Sequence, residues 1–276
     1  MTHWQDKVVF ITGAGSGIGR ALAVALAQRG AKLTVTDING DAASQTAQAC
    51  GGHARKLALD VRDAAAVAAA VDEAAEAGGR LDVIFNNAGI GIAGETHELD
   101  VAHFDRILDI NVRGVVHGVM AAYPRMVAQG FGQIVNTASL AGLGPAPFFT
   151  PYAMTKHAVV GLSLSLRAEA SGLGVRVNAL CPAAIETPIL DSSNPVDLPQ
   201  PKWTPDARAL LTKLAGPPYS LERFTQEALR GLERNAAVIV IPSRARVAWR
   251  MGRWMPAAVE KACADVVADF RRRRAG

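Results

Sequence analysis

Tyr152 and Lys156, in Tyr152-Ala-Met-Thr-Lys156, stand four residues apart. On a helix that spacing puts both side chains on one face, a turn apart. Residues 157–170 are rich in Ala, Leu and Val and contain no proline, so a helix is predicted there. A phenol is a weak acid at neutral pH, with a reference pKa of about 10. An ammonium group one turn away favours the phenolate and is expected to lower that value. A tyrosine poised this way can give a proton to a substrate oxygen or take one from it. Alone, the pair equally fits a surface lysine beside a half-buried tyrosine, so its meaning depends on what else the chain supplies.

A second set of residues has the chemistry of a phosphate cradle. Gly13-Ala-Gly15-Ser16-Gly17-Ile18-Gly19 follows the short apolar run 7–12 and precedes a helical pattern over 21–28. Between a strand and a helix, these glycines allow a tight turn, close backbone approach to a pyrophosphate and an anion at the helix N-terminus. The next predicted strand, 32–37, ends at Asp37, eighteen residues after Gly19. A carboxylate there can accept hydrogen bonds from both hydroxyls of an adenosine ribose and would repel a 2′-phosphate. Neither Ser16 nor Ile38 supplies the positive charge a 2′-phosphate needs. The expected cofactor is therefore NAD(H) rather than NADP(H).

The remaining elements alternate. A strand over 54–59 ends at Asp60-Val61, and Asp63 caps an alanine-rich helix reaching about residue 77. A strand over 81–85 runs into Asn86-Asn87-Ala88-Gly89. A long helical pattern, 101–128, carries Asn111 and includes Pro124, where a kink or break is expected. Ser139 stands at the end of a strand over 132–139. The strand 175–180 leads into Cys181-Pro182-Ala-Ala-Ile185-Glu-Thr187, and a seventh strand is predicted over 237–241. Strands alternating with helices predict an α/β fold with a doubly wound, Rossmann-like parallel sheet. Ligands bind at the C-terminal strand ends of such sheets, and Gly13 to Gly19, Asp37, Asp60, Asn87, Ser139 and Pro182 to Thr187 fall there.

The combination resembles the short-chain dehydrogenase/reductase family. The matching residues are Thr12-Gly-x-x-x-Gly-x-Gly19, Asn86-Asn-Ala-Gly89, Asn111, Ser139 and Tyr152-x-x-x-Lys156, in family order and spacing over residues 5 to about 190. The resemblance implies NAD(P)-dependent oxidation of an alcohol or reduction of a carbonyl. It implies Tyr152 as general acid/base, and Lys156 as the residue that lowers its pKa and binds the nicotinamide ribose. Ser139 would hydrogen-bond the substrate oxygen and Asn111 would hold a water in the proton relay. Asp60 and Val61 would lie by the adenine and Asn87 by the adenosine ribose, and Ala88 and Gly89 would also contact the cofactor. Ile185 and Thr187 would lie by the carboxamide, and Pro182 would also contact the cofactor. Two features depart from the family: Ala183 replaces the usual glycine after Pro182, and about thirty residues follow the seventh strand.

With 276 residues, half of them hydrophobic, the chain can bury a large core. No apolar run reaches the roughly 18 residues that cross a bilayer, and the first residues lack a secretory pattern. Cys50, Cys181 and Cys263 show neither metal spacing nor a disulfide framework, which suits a cytoplasmic protein. The net charge of +4 is uneven. Residues 241–276 hold nine Lys or Arg against three Asp or Glu, net +6, leaving twenty basic and twenty-two acidic residues elsewhere, net −2. A nucleic-acid groove is therefore not indicated.

Residues 1–242 are expected to form the dinucleotide-binding domain, with residues 189–234 inserted as a lid. Leu190, Trp203, Leu210, Leu211, Leu214 and Tyr219, with Leu143, Pro145, Pro147, Phe148 and Phe149, are expected to line an apolar pocket for a lipophilic small molecule. Residues 243–276 form a basic amphipathic extension of two helices. Val247, Met251, Trp254 and Met255 make one apolar stripe, and Val259, Cys263, Val266, Val267 and Phe270 another. The four arginines 271–274 suit a helix C-terminus without any ligand. The stripes are expected to pack on the subunit or seal a dimer, to lie on an anionic membrane surface, or to stay solvated without a partner; the protein is expected to be a homodimer or homotetramer. Competing readings are a non-catalytic NAD(H)-binding redox sensor and an NADP(H)-preferring carbonyl reductase.

Overall fold

Seven short runs become strands: β1 (Val8–Ile11), β2 (Lys32–Asp37), β3 (Arg55–Ala58), β4 (Val83–Asn86), β5 (Gly132–Thr137), β6 (Val175–Pro182) and β7 (Val238–Ile241). The computed structural model describes residues 3–275. The strands form one parallel sheet in the order β3-β2-β1-β4-β5-β6-β7. The helices are α1 (Gly17–Ala27), α2 (Gly40–Ala49), α3 (Ala64–Gly78), α4 (Val101–Leu108), α5 (Gly114–Gln129), α6 (Thr150–Glu169), α7 (Ala207–Ala215), α8 (Leu221–Glu233), α9 (Ser243–Trp254) and α10 (Pro256–Ala275).

Central strands covered on both faces must be apolar throughout, and β1 (Val-Val-Phe-Ile) is buried at every position. The exposed strand β3 carries Arg55 and Lys56 at the sheet edge, which blunts strand addition. One face of the sheet is covered by Val67 and Val71 of α3, Val115 and Val119 of α5, and Val159 of α6. The other is covered by Leu22 and Leu26 of α1 with Phe224, Leu229 and Leu232 of α8. Strand order turns outward in opposite directions from β1 and β4, opening a crevice at their C-terminal ends.

Two expectations need correction here. Helix α5 runs unbroken through Pro124, because Pro124 faces solvent and the carbonyl it leaves unbonded, that of Met120, lies on an exposed turn. The departure from α-helical geometry falls earlier, in a π-helical turn over Asp109–Arg113 that joins α4 to α5. The segment 189–234 is also not one lid. Phe224, Ala228, Leu229 and Leu232 bury α8 in the core, and only the part through α7 overlooks the crevice.

The extension forms the two predicted helices, and they behave differently. Phe270 of α10 is buried with Val266 and Val267 against Phe148, Trp203, Leu210 and Leu214. The arginines near its end do find partners. Arg271 donates two 2.7 Å bonds to the buried carboxylate of Glu95, and Arg274 donates to Glu98 at 2.9 Å. Lys213 of α7 pairs with Asp269. By contrast, α9 buries Ala245 and half-buries Trp249 and Gly252, leaving its predicted stripe exposed.

Candidate active site

The C-terminal strand ends open on one cleft of about 1610 Å³. On one side stands the glycine turn. Gly13 has φ +60°, and a Cβ there would lie 2.6 Å from the Ala88 Cα, so only glycine lets the two loops close on each other. Ser16 precedes α1 without a side-chain cap, which leaves the first-turn N–H groups of α1 directed at the cleft. Gly13, Ser16, Gly17 and Ile18 line it; Gly15 and Gly19 lie behind. A Cβ on Gly15 would meet the Asp37 carboxyl at 2.8 Å, and one on Gly19 the Gly13 carbonyl oxygen at 2.3 Å.

Asp37 stands at the end of β2 on the cleft wall. Its Oδ2 accepts from the Gly15 N–H at 2.9 Å and its Oδ1 from the Asn39 N–H at 3.0 Å. Asp60 and Val61 line the cleft after β3, with the Asp60 carboxyl held below its ordinary range by a hydrogen bond from Arg62. Asn87, Ala88 and Gly89 follow β4. The Asn87 side chain acts as a brace: Nδ2 donates to the Thr12 and Gly13 carbonyls, at 3.1 and 3.0 Å, and Oδ1 accepts from Thr137. Thr12 completes the brace by accepting the Asn87 and Ala88 N–H groups on Oγ1. Pro182, Ile185 and Thr187 close the far side, with Thr187 opposite Gly17.

In the middle of the cleft stand Tyr152, Lys156 and Ser139. Tyr152 and Lys156 lie near the start of α6, and the Lys156 Nζ is 5.5 Å from the Tyr152 ring centre. Lys156 is buried and donates to the Thr137 carbonyl at 2.9 Å. Burial pulls its ammonium down to about 8. The Tyr152 phenol is raised, mainly by burial, against the lowering effect of a hydrogen bond with Ser139. The expected depression by the lysine is therefore not what this arrangement produces, because Lys156 is itself desolvated and turned toward Thr137. Ser139 sits just past β5 and accepts the Ala141 N–H at 3.1 Å. Beneath them the Cys181 thiol is pushed up to about 12 by burial, which makes it an inert apolar filler.

Asn111 is fully buried in the π-helical turn and does not line the cleft. It exchanges hydrogen bonds with the Ile90 backbone, at 2.9 and 3.0 Å, and donates to Thr155 at 3.2 Å. The amide of Asn111 thus ties the π-helical turn to the loop after β4.

Of the predicted apolar pocket, Leu143, Pro145, Phe149, Leu190, Leu211 and Leu214 line the cleft. Phe148, Trp203 and Leu210 are instead consumed in packing α10, and Tyr219 donates to Glu227 while its strand-like contact reaches Ile185. Pro147 does not line the cleft either. Thr137 and Arg62 escaped the sequence reading, as did the α10 wall made by Val259, Cys263 and Val266, and none of them carries a local signal. Thr12 was read as the first residue of the glycine motif, and its bracing of Asn87 and Ala88 came only from the structure.

A sequence profile described as short chain dehydrogenase matches residues 7–197. The chain is 42% identical over 198 residues to levodione reductase of Leifsonia aquatica, covering 70% of this chain and 74% of that one. It is 40% identical to the oxidoreductase UcpA of Escherichia coli K12 over 79% of this chain and 85% of that one. A short-chain dehydrogenase/reductase from Burkholderia phymatum, solved with NAD, superposes with a TM-score of 0.82 at 31% identity, over 94% of this chain and 96% of that one. The fold and cleft are those of a dinucleotide-dependent oxidoreductase. The chain belongs to the short-chain dehydrogenase/reductase family.

Proposed function

We propose that the protein transfers hydride between NAD(H) and a secondary alcohol or ketone, or an aldehyde, on a lipophilic small molecule. The observation that carries the choice of NAD is Asp37. It occupies the end of β2 on the cleft wall, where it accepts from two backbone N–H groups and, among the described residues, forms no ion pair. The Gly13–Ala88 closure and the open first turn of α1 leave backbone free to approach a pyrophosphate, so the residues present fit a dinucleotide. Asp60 and Val61 would flank the adenine, Asn87 to Gly89 the adenosine ribose, and Pro182, Ile185 and Thr187 the carboxamide. Bound nicotinamide supplies or accepts the hydride. Tyr152 then gives its proton to the substrate oxygen in reduction, or takes one in oxidation. The Ser139 hydroxyl hydrogen-bonds the same oxygen. Lys156 places its ammonium beside the phenol and Asn111 supports the path by which the proton is replaced. The leucines and Phe149 of the cleft wall favour an apolar substrate.

Met120 on α5 and Leu164 on α6 are exposed apolar side chains, which supports assembly as a homodimer or homotetramer. The three cysteines are free, consistent with the reducing cytoplasm. Among the described residues no helix is long and apolar enough to cross a membrane.

The test is steady-state kinetics of the purified protein with NAD⁺ and NADP⁺ across a panel of alcohols that includes sterols. NAD⁺ should be preferred. Asp37→Ser with Ile38→Arg should shift preference toward NADP⁺ by removing a repulsion and adding a phosphate partner. A wild-type protein that uses NADP⁺ better overturns the reading of Asp37.

A further inference from the structure

The face of α9 that the fold leaves bare carries chemistry that the cleft does not use. Helix α9 holds four arginines and no carboxylate. Val247, Met251 and Trp254, spaced by four and three, share one face and are 58%, 54% and 87% exposed, with Met255 beside them at 53%. Arg250 and Arg253 occupy the adjoining row, and neither forms an ion pair among the described residues. Arg244 and Arg246 donate to the carbonyls of Pro217 and Val240, which satisfies N–H groups without neutralising charge. On the opposite side Ala245 and Trp249 pin the helix to the core. Between these faces Ala248, Gly252 and Arg253 reach the rim of the cleft.

The charge pattern chooses among occupants. A second copy meeting this face about a two-fold axis would set its own arginines against these. Phosphate headgroups over acyl chains complement both rows, with guanidiniums on phosphates, an indole at headgroup depth and Val247 and Met251 just below. We propose that α9 seats the protein on an anionic lipid surface. The cleft rim then lies at that surface, and an apolar alcohol or ketone can enter the cleft from the lipid. This last step rests on the proposed function; the docking does not.

Flotation of the full chain with vesicles of phosphatidylcholine alone, or mixed with phosphatidylglycerol, tests it. The protein should float with the mixed vesicles at low salt and be released at about 0.5 M salt, where charges are screened within a few ångströms. Arg250→Glu and Met251→Glu should each weaken binding about tenfold or more. Both side chains are exposed, so thermal unfolding should match the wild type. Flotation with neither vesicle overturns the proposal. So does self-association, seen by sedimentation, that Met251→Glu abolishes, because the face would then be an interface between copies. Oxidoreductase activity on a dispersed substrate is measured separately: activity without flotation overturns the docking alone, and flotation of an inactive chain supports docking while removing the proposed function.

Discussion

Lys156 joins two demands at one atom. In the proposed mechanism it holds a positive charge beside Tyr152, yet it is buried and its ammonium is pulled down to about 8. Below pH 8 the folded and unfolded chains both carry the proton, and the folded state bears the full cost of burying it. Between 8 and the ordinary value of 10.5 the unfolded chain still holds a proton that the folded chain has released. Wild-type stability should therefore rise with pH, relative to Lys156→Met, by about 1.4 kcal/mol per unit across that window. Urea unfolding of both proteins below pH 8 and near pH 10 measures this, and a constant difference would show that Lys156 is not desolvated. Tyr152→Phe removes the proton that the proposed mechanism gives to the substrate oxygen. Turnover should drop at least about a hundredfold while NADH still binds, as read by rate assays and fluorescence titration. Normal turnover in that variant would remove Tyr152 from the chemistry.

At the scale of elements, the informative contact is α10 on the loop before α4. Arg271 holds Glu95, whose side chain is 7% exposed and whose carboxyl it keeps below the ordinary value of 4.5. Arg271→Met strands that carboxylate and should destabilise the protein by about 1–3 kcal/mol near neutral pH. The sign follows from the lowered pKa: the contribution is complete above pH 4.5 and fades as pH falls through the lowered value. The gap between wild type and variant should therefore close in acid, and a gap that persists there would assign the loss to packing by the arginine stem. The π-helical turn at Asn111 is the other element-scale device. Asn111 lies within that turn and ties it to the loop after β4 through two hydrogen bonds with the Ile90 backbone.

At the scale of the whole molecule, α10 converts an open crevice into a walled cleft. Its inner residues line the cleft while Phe270 is buried with Phe148 and Leu210. Deletion from Pro256 onward should uncover that cluster, lower the unfolding temperature and promote aggregation, as followed by calorimetry and light scattering. Unchanged stability in the truncated chain would mean that α10 rests on the surface rather than completing the core.

The alternation of strands and helices, the glycine turn, Asp37 and the Tyr152–Lys156 spacing were all legible in the sequence. Each is a local pattern in which backbone preference and side-chain period agree, so neighbours in the chain suffice to read it. The sequence also showed an apolar stripe on α9 and on α10, and a helical pattern at α8, but not which surface each of them meets. Only the tertiary structure placed α8 in the core, α10 on the cleft and the face of α9 in the open. Those outcomes depend on partners far away in the chain, such as Arg271 and Glu95, which are 176 residues apart. The same distance separates expectation from result at Tyr152. Spacing brought an ammonium one turn away, whereas burial by the surrounding strands set both pKa values, because desolvation is a property of the assembled fold and not of any segment.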